Sequence, residues 1–309
     1  MRYRKLGKTG LHVSVMGLGC AGFGGVYGDI SEQQAIRAIH TAFDLGINFL
    51  DTAPLYGFTR SETVVGKALR GIPRDRYYLS SKVGRYSFQD SDFSYRRVKQ
   101  GLEESLARLG CGYLDLAILH DIEFCPLDQV VEEGLRALID ARQEGKVRFV
   151  GASGLPLKIF PAILAVAELD VVISYAHYTL QNTSLLSLLP LFEQHNLGVI
   201  NASPLGLGLL TPAGPPPWHL ASEEIKAVCR KAAEWCASKG VDLAQLGMQF
   251  AYAQPGIHST LSGAIQPEEV ERNARAVDQP PDPDLVAAVQ EILRPVKDRT
   301  WPSGRPEYN

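Results

Sequence analysis

The stretches GINFLD (46–51), YYLSSK (77–82) and YLDLAILH (113–120) are short, largely apolar runs that each stop on a polar residue, Asp51, Lys82 and His120. Runs of this length read as strands, and the longer stretches between them, such as RRVKQGLEESLARLG (96–110), repeat apolar residues at helical spacing. The alternation continues in both directions. Strands are expected near 13–18, 46–50, 77–82, 114–119, 147–152, 170–174, 197–202 and 257–261, with helices near 31–45, 61–70, 94–109, 127–143, 156–167, 182–195, 222–239 and 267–278. Repeated strand–helix units build a parallel sheet, and eight of them make a (β/α)8 TIM barrel.

Start and stop signals agree with this division. Ser31 with Gln34, and Ser94, are N-cap candidates, while Gly46, Gly110 and Gly145 follow the first, third and fourth helices. Residues 2–12 form an expected N-terminal hairpin turned at Lys8-Thr9-Gly10, and extra C-terminal helices are expected at 242–253 and 283–295. The stretch 205–220, with PAGPPPWH, is the longest without a periodic pattern, and loops of that length usually bind something. No linker or internal repeat interrupts the chain, so residues 1–309 read as one barrel domain.

Composition narrows the function classes. The net charge is −3, which supplies no basic field for nucleic acid. The five cysteines, Cys20, Cys111, Cys125, Cys229 and Cys236, include no C-x-x-C pair, which argues for a reduced, cytoplasmic chain without a bound metal. A basic start (Arg2, Arg4, Lys5, Lys8) precedes an apolar stretch that Gly17 and Gly19 break too early for a secretory signal, and nothing nears the length of a membrane span.

In TIM barrels the active site gathers at the C-terminal ends of the strands. Asp51, Lys82 and His120 stand there on strands two, three and four, and Tyr56 follows in the next loop. Singly, each has an ordinary structural reading. Together they make a proton-transfer device. Free Tyr titrates near ~10, and an ammonium within ~4–6 Å lowers such a pKa, so Lys82 is expected to make Tyr56 more acidic while Asp51 keeps Lys82 charged. His120 would bond the substrate oxygen. Oxidation or reduction at a carbonyl carbon also needs a hydride partner, which no side chain supplies, so a nicotinamide cofactor is implied.

GLGCAG, with Gly17, Gly19 and Gly22, matches the G-x-G-x-x-G dinucleotide pattern by letter. Its context does not match, because Phe23 to Ile30 intervene before the first helix cap. It reads instead as a glycine-rich loop at the barrel mouth, with Gly22 near the cofactor and Phe23 and Tyr27 lining the pocket.

The motifs GINFLDTAPLYG, SSK, ILHDIEF, GKVRFVGASGLP, ASPLGLGLL and EEVERN together resemble the aldo-keto reductase family over essentially the whole chain. Within it, HDIEF, GPPPWH and TWPSG are most similar to members that oxidise L-galactose for ascorbate synthesis. The resemblance implies an extended nicotinamide dinucleotide across the strand ends and a catalytic tetrad of Asp51, Tyr56, Lys82 and His120. The implied reaction is NAD-dependent oxidation of L-galactose at C1 to its 1,4-lactone, with Tyr56 taking the proton. Dehydrogenation of L-fucose, D-arabinose or pyridoxal, or service as a nucleotide-binding regulatory subunit, are the alternatives. The oligomeric state is not legible.

The resemblance also assigns cofactor contacts. Ser153 and Ser174 stand for the nicotinamide amide, although Gly154 and Ala202 replace residues that family members commonly use there. Ser203, Leu205 and Gly206 match the loop around the pyrophosphate. Gly263, Ala264 and Glu269 stand where NADP-dependent relatives place phosphate-binding groups, so NAD is expected, with Asn273 on the adenine. Candidate sugar contacts are Asp121, Phe124, His177, Tyr178 and Trp301, besides Phe23 and Tyr27.

Overall fold

The computed structural model describes residues 1–309. Strands β1 (Tyr3–Lys5) and β2 (His12–Ser14) pair antiparallel. Strands β3 (Met16–Gly19), β4 (Phe49–Asp51), β5 (Tyr78–Val83), β6 (Leu114–Leu119), β7 (Val147–Gly154), β8 (Val171–Tyr175), β9 (Gly198–Ala202) and β10 (Ser259–Ser262) are all parallel and close into a barrel, β10 returning to β3. This is a (β/α)8 barrel.

The expected first strand at 13–18 is in fact two. Val15 is the pivot: its N–H donates to Arg2 O in the hairpin (2.9 Å) while its carbonyl accepts from Thr260 N in the barrel (2.8 Å). Leu6, Leu11 and Val13 of the hairpin then pack against the inward-facing Phe49, Leu116, Ile118, Val171, Ile173, Ile200 and Leu261, plugging the barrel below the site. Gly17 and Gly19 lie in β3 rather than in a loop. Gly17 faces this packed interior, where a Cβ would stand 2.8 Å from Leu261 and 2.9 Å from Phe49.

Helices α1 (Glu32–Asp44), α2 (Arg60–Ala68), α3 (Tyr95–Leu109), α4 (Leu127–Gln129), α5 (Arg136–Gln143), α6 (Ile159–Leu164), α7 (Leu189–Gln194), α8 (Glu223–Ser238), α9 (Leu243–Ala253), α10 (Pro267–Arg275) and α11 (Pro283–Leu293) surround the barrel. Ser31 and Gln34 form the expected capping box, and Ser94 Oγ accepts from Arg97 N. The helix expected at 127–143 carries a π turn, Val130–Leu135, between α4 and α5. The helices expected at 156–167 and 182–195 are shorter. In the second case Asn182 Oδ1 accepts from Ser184 N, a 3-10 turn follows over Ser184–Leu188, and Pro190 confines the α-helix to what begins beside it. No helix is long and apolar enough to cross a membrane.

Outward residues such as Leu79, Leu119, Val150, Val172 and Val199 meet the helices. Because side chains alternate along a strand, the inward set of the hairpin-plugged core sets the face of every residue above it. Continued to the strand ends, that parity places Gly19, Asp51, Lys82, His120, Ser153, Tyr175, Ala202 and Gly263 around the mouth of the barrel.

Candidate active site

Asp51 and Lys82 are each 2 % exposed and form a buried ion pair, Nζ donating to Oδ2. Ser80 Oγ donates to the other Asp51 oxygen at 2.8 Å. The ammonium also donates to Thr52 O at 2.9 Å and to the Tyr56 hydroxyl at 3.1 Å, so its three donors are all spent. The turns between β4 and α2 bring Tyr56 back over Asp51, and its ring meets that of His120 edge-on, with centroids 5.7 Å apart. All four residues read from the sequence are thus brought together.

Their electrostatics differ from the expectation at one point. Lys82 does pull the Tyr56 pKa down, but burial outweighs it, and the phenol is pushed up to about 12. Burial opposes the charge on Lys82 as well; there Asp51 and Tyr56 more than offset it and the ammonium is held above its ordinary range. Burial lowers His120 to about 3, so its imidazole is neutral near pH 7. The group is therefore poised as a neutral phenol backed by a fixed cation, with a neutral imidazole beside it.

From Asp51 and Tyr56 a cavity of ≈ 430 Å³ runs past Ser203, Leu205, Gly263 and Ala264 to Glu269, Arg272 and Asn273. The expected pyrophosphate and adenine contacts line one continuous space, apart from Gly206, whose carbonyl is held by His219 Nε2 at 3.0 Å. Asn273 Nδ2 donates to Ser262 Oγ at 2.9 Å, and Tyr27 lines the near end against Trp218. At Gly263 nothing lies within 4 Å of where a Cβ would stand, which leaves room for a ligand to approach the backbone.

Several expected contacts lie elsewhere. Ser174 shares the outward parity of Val172, and its buried hydroxyl faces the helix layer without a partner; Tyr175 takes the inward position. Gly22 is a packing glycine, since a Cβ there would stand 2.2 Å from Ile265 Cγ2. Phe23 is fully buried in the hydrophobic core and cannot touch substrate. We expect Phe23→Ala to cost about 3–5 kcal/mol of stability, read by thermal or urea melts, and to leave the substrate KM near the wild-type value. Tyr178 stacks on Phe250 with centroids 5.1 Å apart and faces a separate groove between α9 and α11. His177 braces its own loop: Asn182 Nδ2 donates to its Nδ1 at 3.2 Å, and Ser184 Oγ lies 2.9 Å from the same nitrogen. Trp301 packs edge-on against His219 at 4.6 Å and so backs the loop at Gly206.

Asp121 stays close to the tetrad, its Oδ2 3.8 Å from His120 Nε2, and Ser153 Oγ is tied to it at 3.2 Å. Phe124 is half-buried beneath the guanidinium of Arg85. Arg85, Tyr175 and Arg272 escaped sequence reasoning. Tyr175 was accessible through strand parity, whereas Arg85 lies in a loop with no periodicity to mark it.

The chain is 44 % identical to the L-galactose dehydrogenase of Arabidopsis thaliana, covering 97 % of each chain. It is 33 % identical to the D-arabinose 1-dehydrogenase of Saccharomyces cerevisiae, covering 78 % of this chain and 76 % of that one. A crystal structure of an aldo-keto reductase from Klebsiella pneumoniae in complex with NADPH superposes with a TM-score of 0.75 at 26 % identity, over 98 % of this chain and 99 % of that one. The model of the aldo/keto reductase family matches residues 15–294, and the chain belongs to that family.

Proposed function

We propose that the protein is an NAD-dependent aldose 1-dehydrogenase that oxidises L-galactose at C1 to L-galactono-1,4-lactone. The observation that carries this reading is the Lys82 ammonium shared between Asp51 and Tyr56 at the end of an elongated cavity, in a chain 44 % identical to an L-galactose dehydrogenase. The open backbone at Gly263 and the continuity from Tyr56 to Asn273 fit a nicotinamide dinucleotide laid along that cavity, which when bound accepts hydride from C1.

The residues of the chain supply the rest. Lys82, held charged by Asp51, stabilises Tyr56 as the phenolate, which takes the proton of the anomeric hydroxyl as the C1–H bond breaks and becomes a neutral phenol. His120, neutral at working pH, hydrogen-bonds the same oxygen and fixes its direction. The sugar has then lost one hydride and one proton and leaves as the lactone.

Cofactor choice rests on Glu269. Its Oε2 accepts from Ile265 N (2.9 Å) and Gln266 N (3.3 Å), closing a capping box that holds a negative charge in the cavity wall. A 2′-phosphate there meets repulsion, whereas a ribose hydroxyl can donate to the carboxylate. Arg272 stands in the same wall, so the cavity is not free of cations as the sequence suggested, and the preference is finite. Glu269→Gln keeps the capping acceptor and removes the charge. We expect it to narrow the NAD over NADP ratio of kcat/KM by about tenfold or more; an unchanged ratio would clear Glu269 of this role.

The direct test is NADH formation with L-galactose beside L-fucose, D-arabinose and D-galactose, repeated with NADP. Selective turnover of L-galactose with NAD supports the proposal. The 33 % identity to the yeast enzyme makes D-arabinose the second substrate to try, and its preference would move the substrate while keeping the mechanism. Silence with every sugar refutes the aldose reading and leaves pyridoxal or a regulatory subunit.

A further inference from the structure

Beside the tetrad lies a second buried polar cluster that the proton and hydride steps do not use. Arg85, 6 % exposed, donates from Nη1 to Asp121 Oδ2 at 2.7 Å, lies 3.6 Å over the ring of Phe124, and leaves its Nε without a partner. Asp121 has a left-handed backbone, φ +48°, which is costly for a residue other than glycine. Ser153 secures that bend, since its Oγ accepts from Asp121 N at 2.9 Å and donates to Asp121 Oδ1 at 3.2 Å. The carboxylate is thereby turned back toward His120 Nε2, 3.8 Å away, and Tyr175 ends β8 on the same barrel mouth.

A buried ion pair is a poor way to gain stability, because apolar residues of the same volume usually serve as well or better. Its location suggests a ligand. In the reaction proposed above His120 bonds the oxygen on the reacting carbon, and Asp121 Oδ2, 3.8 Å from His120 Nε2, is then within reach of the polar group on the neighbouring carbon. In an aldose that group is the hydroxyl on C2.

We propose that Arg85 and Asp121 form a clamp that reads the hydroxyl vicinal to the reacting carbon, Asp121 accepting its proton in a hydrogen bond and Arg85 donating to its oxygen. The pair makes the site selective for 2-hydroxy aldoses over 2-deoxy sugars and simple aldehydes. This inference rests on the aldose reading above. It adds Arg85 as a specificity-determining residue and gives Asp121 a particular hydroxyl.

The test compares kcat/KM for L-galactose and 2-deoxy-L-galactose in the wild type, in Asp121→Asn and in the double variant Arg85→Met/Asp121→Asn, which leaves no unpaired buried charge. NADH binding by fluorescence confirms that each variant is folded. The wild type is expected to favour the 2-hydroxy sugar by about 10- to 100-fold, the range of one charge-assisted hydrogen bond, and the double variant by no more than about threefold. Equal losses on both sugars, with the ratio preserved, would assign the pair a purely structural role and overturn the clamp while leaving the aldose reading intact. Absence of turnover on any aldose by the wild type would overturn both.

Discussion

Tyr56→Phe is expected to lower aldose oxidation by about 10²- to 10⁴-fold while leaving NADH binding nearly unchanged. The substitution removes one oxygen and keeps the ring that packs against His120, so the loss reports the proton path and not the shape of the pocket. The pH dependence should carry the same signature. Burial pushes the Tyr56 pKa up to about 12 in spite of Lys82, so the phenol is protonated through the neutral range. Oxidation draws on the deprotonated form and should quicken as pH rises toward that value. Reduction of the lactone or of a free aldehyde draws on the protonated form and should stay flat until well into the alkaline range. Steady-state rates in both directions, with a solvent isotope comparison, check this, and a Phe variant that retains more than about a tenth of the rate would remove Tyr56 from the mechanism.

Lys82→Met should damage activity and stability together, and the two effects can be separated. Without the ammonium, Asp51 is left as a carboxylate 2 % exposed with only Ser80 to bond it, which costs about 3–5 kcal/mol in comparable buried pairs. Tyr56 also loses the charge that lowers its pKa, so oxidation should fall at least as far as in Tyr56→Phe. Adding Asp51→Asn to Lys82→Met removes the stranded charge. The double variant should recover much of the melting temperature and none of the activity; recovery of activity would show that the cation is dispensable.

The sign of the pH effects on folding follows from the same burial. Lys82 is held above its ordinary range, so its contribution is complete below about pH 10 and is lost only as pH rises through its folded value. His120 is lowered to about 3, so the unfolded chain binds a proton first, and stability declines as pH falls from about 6.5 toward 3.

How much of this was legible beforehand depended on whether local pattern or spatial neighbours decided the outcome. The barrel was readable because strand and helix leave periodic traces in the chain, and the tetrad because Asp51, Lys82 and His120 end three such strands. Errors gathered where a neighbour outside the local pattern intervened. Val15 splits one apolar run between two sheets through partners at Arg2 and Thr260. Phe23 sits in a loop whose composition suits a pocket, yet the fold turns its ring into the core. Ser174 and Tyr175 differ by one residue, and a strand reverses its face with each step, so assignment by motif selected the outward member.

Taken alone, the sequence determined the barrel and the residue types that end its strands, since these depend on periodicity and residue type. Only the tertiary structure decided the balance of charge at Tyr56, where burial outweighs Lys82, and the union of Arg85 with Asp121, which stand 36 positions apart. Desolvation and buried ion pairs are properties of what surrounds a side chain in three dimensions, and no spacing along the chain encodes them.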